Sequence, residues 1–225
     1  MRVGIAAKLA MLTSFLVVFT AVCVGVVHHE STEEILVGQE LGRLNQELEL
    51  EELRVGRAIE RLGDEVRFLA RSPDLLMVAG ARKGTADMSL DELQERLAQS
   101  FHKFMDAKPG YIQTRFVALD GVEVVRVDRD ESNRLHTIKT LKQKGKYRYV
   151  KESLTLKPGE VYYSKINFNR EHGKRTEKPV LRVAAPVYSV NVEGKATHVL
   201  GLVAVNMDFR SLTGRKRSFR ENASN

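Results

Sequence analysis

The sequence predicts an α+β fold: an N-terminal transmembrane helix and a long stalk helix, followed by a five-stranded antiparallel sheet. Three observations predict it. Residues 9–27 form a 19-residue run without a charged side chain. Beyond that run, apolar residues recur at helical spacing as far as Leu69. After Gly110 the apolar period shortens to that of strands, with glycine-containing turns between them.

Composition bounds the rest. The chain has 225 residues, 43% of them hydrophobic and 29% charged, which excludes a collagen-like, low-complexity or wholly disordered polypeptide. Its single cysteine, Cys23, lies inside the apolar run, so neither a disulfide framework nor a cysteine zinc cluster is available. The net charge of +7 is unevenly spread. Residues 28–106 hold 17 acidic and 10 basic side chains, whereas 107–225 hold 24 basic and 12 acidic ones. An acidic helical region thus precedes a basic domain.

As a helix, 9–27 would reach about 28 Å, close to the ~30 Å of a bilayer core. Arg2 and Lys8 precede it; Glu30, Glu33 and Glu34 follow. Basic residues stay inside, so the expectation is a single-pass plasma-membrane anchor with 1–8 cytoplasmic and everything beyond His28 exported. The rival is a cleaved signal peptide, whose apolar core is usually only ~7–15 residues and ends in a small-x-small site. An exported domain weakens any nucleic-acid reading of the basic region, and no nucleic-acid partner is expected.

The stalk is placed over 28–72. Leu41, Leu44, Leu48, Val55, Ile59, Leu62, Val66 and Leu69 make a heptad-like seam. Two uses of it stay open: packing on the chain's own domain, or pairing with a second copy as a homodimer. Gly42, Gly56 and Gly63 weaken a zipper, so the lower half is expected to pair weakly and the upper half to pack on the domain. Ser72-Pro73 stops the helix. The helical segment of the module occupies 73–110. There Ser89 and Glu92 have capping-box spacing, and Leu93, Leu97, Phe101 and Phe104 form one stripe before Lys108-Pro109-Gly110.

Strands are expected at 111–119, 122–127, 161–168, 180–190 and 198–208. Asp120-Gly121 supplies the first hairpin turn, and Pro158-Gly159 and 191–194 supply later ones. Residues 135–152, rich in Lys and Tyr, read as a helix or loop between the second and third strands. A basic tail fills 211–225.

Several segments together resemble the bacterial Cache sensor domain, a PAS-like extracytoplasmic module. They are Tyr111-Ile-Gln-Thr-Arg115, Asp120-Gly-Val-Glu-Val-Val-Arg126, Leu141-Lys-Gln-Lys144 with Arg148-Tyr149, Val161-Tyr-Tyr-Ser164, Pro179-Val-Leu-Arg182, Ala185-Pro186-Val187 and Gly201 through Asp208. The similarity covers about 30–210 and is nearest the double-Cache type of membrane histidine kinases and diguanylate cyclases, of which only the N-terminal half is matched. The resemblance implies a PAS-like sheet over 111–210, a role in signal transduction such as a two-component system, and a small-molecule ligand. A second module and a kinase or cyclase output domain are not expected within these 225 residues, so the chain is not expected to be an enzyme.

Within such a fold a ligand lies between the sheet and the segments crossing it. Arg115, Arg126 and Arg182 interrupt apolar strands and suit a carboxylate or phosphate. Tyr147, Tyr149 and Tyr163 offer aromatic walls and hydroxyls, and Asp208 offers a carboxylate for a ligand amine. A small anionic or zwitterionic ligand is the expectation. The competing reading pairs these arginines with Glu123, Asp128 or Asp208 as structural ion pairs. Strand alternation alone leaves open which sheet face a pocket would use. No Gly-x-Ser-x-Gly, phosphate loop or close set of histidines occurs, so no catalytic residue, metal or cofactor is expected. The alternative function is a non-ligand-binding interaction protein that pairs through its stalk with itself or with a full-length sensor.

Overall fold

The computed structural model describes residues 4–82, 88–171, 174–191 and 193–212. The expected basic tail lies, beyond Leu212, outside them. The chain divides into two compact units, Met1–Leu53 and Arg54–Asn225.

A single helix, α1 (Ile5–Ala70), runs through both units. Among the described residues no helix is long and apolar enough to cross a membrane. The transmembrane helix expected over 9–27 is therefore corrected. That run is not an element of its own but the opening part of a 66-residue helix. It also holds Thr13 and Thr20, whose hydroxyls donate back to the carbonyls of Leu9 and Leu16.

The seam divides at the unit boundary. Leu41, Leu44 and Leu48 are exposed in the first unit. Leu62, Val66 and Leu69 are buried in the second, with Ile59 packed against the same core. Gly63, read from the sequence as a weak point in a zipper, instead admits Tyr163: a Cβ there would collide with the Tyr163 hydroxyl oxygen. Glu65 fastens the same turns by accepting from Lys108 Nζ and the Tyr111 hydroxyl.

Ser72 and Pro73 end α1 as expected and begin α2 (Pro73–Ala81), with proline at the position where a missing N–H costs nothing. Then comes α3 (Leu90–Asp106), whose capping box is complete between Ser89 and Glu92. Its stripe is buried at Leu93, Leu97, Phe101 and Met105.

Among the described residues the sheet is fully antiparallel and has seven strands rather than five. They are β1 (Tyr111–Ala118), β2 (Glu123–Arg129), β3 (Leu135–Thr137), β4 (Tyr162–Tyr163), β5 (Asn167–Glu171), β6 (Lys174–Val190) and β7 (Ala196–Asp208). The order is β3-β2-β1-β7-β6-β4, with β5 also pairing on β6. The first hairpin turns where expected, at Gly121, whose φ of +81° an L side chain rarely adopts. Asp120 Oδ1 accepts the Val122 N–H to close that turn.

The two extra strands have local causes. Asp130 accepts the Arg134 N–H, and Asn133 takes a positive φ of 64°, turning the chain back so that 135–137 pair with β2. The strand expected over 161–168 splits where its register on β6 shifts by one residue, between Tyr163 opposite Val183 and Asn167 opposite Val180. Within that break the Arg182 N–H donates to the Ser164 hydroxyl instead of to a strand carbonyl. The segment expected to be a helix or loop over 135–152 contains β3, a loop and a short helix, α4 (Arg148–Leu154).

The sheet is covered on both faces. The end of α1, α2 and α3 bury one face around Phe101, Phe116, Val183, Val203 and Val205. On the opposite face α4 lays Tyr149 and Val150 over Val117, Ala184, Leu202 and Ala204. Helices on one face and a short crossing helix on the other leave the second face with room for polar side chains.

Candidate functional site

Strand register places the polar residues of the α4 face. Arg115 on β1 stands opposite Arg126 on β2, Gln113 opposite Asp128, and Asn206 on β7 opposite both Gln113 and Arg182. One row of the sheet therefore reads Asp128, Gln113, Asn206, Arg182 across four strands. Its members are joined by hydrogen bonds. Arg182 Nε donates to Asn206 Oδ1 at 2.8 Å, Asn206 Nδ2 donates to Gln113 Oε1 at 2.9 Å, and Gln113 Nε2 donates to Asp128 Oδ1 at 2.7 Å. Each amide of the row thus uses both ends.

The neighbouring row holds Arg115 and Arg126. Arg126 grips Asp128 with two donors, Nε at 2.8 Å and Nη2 at 2.5 Å. Arg115 is buried and donates from Nη1 to Glu123 Oε1 at 2.8 Å. The other Glu123 oxygen accepts the Lys142 N–H, which ties the loop before α4 to the sheet. Both arginines are thus ion-paired, Arg115 with Glu123 and Arg126 with Asp128.

Arg182 differs. Its guanidinium lies 4.4 Å from the Tyr149 ring centroid, and among the described residues no carboxylate pairs with it. Burial, with the Arg115 cation nearby, draws its pKa down to about 10. A second cation, Lys144 Nζ, sits 4.9 Å from the Tyr147 ring centroid. Burial and the Arg115 charge bring its pKa down to about 8. The two tyrosine rings lie 6.3 Å apart, so a cation stands over each ring of one aromatic pair.

Among the described residues, three buried polar atoms at this face have no hydrogen-bond partner: Arg115 Nε, Tyr149 Oη and Ser153 Oγ. Tyr149 and Ser153 are four residues apart on α4 and both are buried, so they share the helix side turned to the sheet. A buried polar group without a partner is costly, and these three lie on the same face of the sheet.

Of the seven residues singled out from the sequence, Arg115, Arg126, Tyr147, Tyr149 and Arg182 come together here. Tyr163 does not. Its register partner is Val183, on the helix-covered face, where its hydroxyl abuts Gly63. Asp208 lies at the end of β7, and its carboxylate is taken by Arg210 through two donors. It lines a separate open cleft of about 290 Å³ with Arg129, Asp130, Lys178 and Ser211, a wall of both charge signs. Sequence reasoning missed Gln113, Asn206, Lys144 and Ser153. The legible signal for the first two was an amide at the parity of Arg115 in an otherwise apolar strand.

A family model described as the sensor domain of bacterial histidine kinases matches residues 80–215. Two solved structures share the fold. One is a domain of a sensory box/GGDEF family protein from Vibrio parahaemolyticus, 20% identical with a TM-score of 0.54, covering 70% of this chain and 57% of that one. The other is the extracellular domain of the histidine kinase vpHK1S-Z8, 21% identical with a TM-score of 0.55, covering 72% of this chain and 56% of that one. The chain thus spans just over half the length of each. No curated protein sequence matches it. With the match extending over more than half of its length, the chain belongs to the bacterial histidine kinase sensor-domain family.

Proposed function

We propose that this chain is an extracytoplasmic ligand-sensing module, binding a small molecule on the sheet face beneath α4. One observation carries the reading: the cluster of unsatisfied buried donors around Arg115, Tyr149 and Ser153, beside an Arg182 that has no carboxylate partner. A ligand supplies the missing acceptors. The extracellular origin of the vpHK1S-Z8 domain supports placement outside the cytoplasm. Sensing requires that the ligand favour one of two arrangements, and α4 is the natural reporter, since it contributes both hydroxyls and contacts the sheet.

The test is a thermal-shift screen of the full chain against organic acids, amino acids, polyamines and sugars. Stabilisation by one class, abolished by Arg182→Gln, supports the reading. No stabilisation by any class overturns it.

A second reading rests on the exposed Leu41, Leu44 and Leu48, spaced as a heptad seam in the first unit. It makes the chain a self-pairing interaction module without a ligand. Light scattering on the full chain and on a Leu44→Asp/Leu48→Asp variant separates the two. A dimer lost in the variant and indifferent to every ligand favours this second reading.

A further inference from the structure

The α4 face carries an excess of positive charge that the protein does not neutralise. Its carboxylates are Glu123 and Asp128, and both are fully engaged. Glu123 accepts from Arg115 and from the Lys142 N–H; Asp128 accepts from Arg126 and Gln113. Arg182 and Lys144 remain, each over a tyrosine ring and neither joined to a carboxylate among the described residues.

The unsatisfied atoms are biased the same way. Arg115 Nε is a donor only, and the Tyr149 and Ser153 hydroxyls each have a proton to give. All three suit an acceptor such as a carboxylate, as does the neighbouring Arg182 guanidinium. An ammonium group finds the opposite conditions. It would meet Arg182, Lys144, Arg115 and Arg126, with no free carboxylate to hold it. Asp208, the residue the sequence suggested for that purpose, closes on Arg210 at the end of β7.

We infer that the ligand is a small organic carboxylate carrying no amino group, anchored on Arg182 with Lys144, Tyr149 and Ser153 as further donors. This rests on the ligand-sensing reading and narrows it from anionic or zwitterionic molecules to anions alone.

The experiment is calorimetric titration of the full chain with matched pairs: propionate against alanine, and succinate against aspartate. Inorganic phosphate and an uncharged sugar serve as further probes. The amino-free member of a pair is expected to bind at least about tenfold more tightly than its partner. Arg182→Gln should lose about tenfold or more in affinity, with Arg182→Lys recovering part of it. Ser153→Ala, nearly isosteric, and Lys144→Gln, at a half-buried position, should each lose severalfold, so the test survives if the arginine variant fails to fold. Equal or tighter binding of alanine or aspartate overturns this inference and leaves ligand sensing intact. So does binding of phosphate or sugar with no carboxylate bound. Absence of binding by every probe, together with an empty thermal-shift screen, overturns both.

Discussion

Replacing Glu123 by alanine is expected to destabilise the protein more than almost any other single polar change. The Glu123 side chain is 0% exposed and that of its partner Arg115 is 6% exposed. Removing the carboxylate leaves a buried guanidinium with an Nε that already lacks a partner, close to Arg126, Arg182 and Lys144. It also frees the Lys142 N–H that docks the loop before α4. Breaking a buried pair from one side costs ~3–5 kcal/mol. For a chain of this size, that corresponds to a fall in Tm of about 6–20 °C. Urea unfolding of the full chain, followed by circular dichroism, measures it. The double variant Arg115→Met/Glu123→Leu should regain most of the loss, because it removes the stranded charge and keeps apolar volume against Val117 and Leu202. A single-variant loss under ~1 kcal/mol, or a double variant no better than the single one, would refute the argument that the pair is buried and mutually dependent.

Three further outcomes are expected. Phe101→Ala, at 0% exposure in the core between α3 and the sheet, should cost ~3–5 kcal/mol in the same unfolding assay. Gly63→Ala should stabilise less in the wild-type chain than in a Tyr163→Ala background, where nothing meets the new methyl; equal changes in Tm in the two backgrounds would contradict the close approach. Lys144 has a pKa of about 8 in the folded chain, below its unfolded value near ~10.4, so the unfolded chain holds that proton more tightly. Stability should therefore rise as pH increases from about 8 toward the ordinary lysine range. Unfolding curves of the wild type minus Lys144→Met should isolate that rise, and a flat or falling difference would exclude the lowered pKa.

Local signals were legible where a few neighbouring residues decide conformation. Ser72-Pro73 ends one helix and starts another by backbone sterics alone. Ser89 and Glu92 close a capping box within four residues, and Asp120-Gly121 turns a hairpin because glycine tolerates its positive φ. Those same residues carry no information on sheet size. The strands missed, β3 and β5, depend on how 130–134 turn and on the long β6 edge. The expected membrane span is corrected as well: absence of charge is a local signal, but among the described residues no helix is both long and apolar enough to cross a membrane.

The candidate site shows the same division. That Arg115, Arg126 and Arg182 interrupt apolar strands could be seen in the sequence, and so could the tyrosines near 147–149. Their separate fates could not. Arg115 and Arg126 are spent on Glu123 and Asp128, while Arg182 meets only an amide and an aromatic ring. Period-two alternation tells which residues share a face, but the shift between Phe116 and Val117 and the pairing of β1 with β7 decide who is opposite whom. The sequence by itself determined the order of helices and turns and the basic character of the sheet domain, because those follow from residues close together in the chain. Only the tertiary structure decided which charges pair with each other and which stand over an aromatic ring, because that depends on register between strands up to 93 positions apart, as for Gln113 and Asn206.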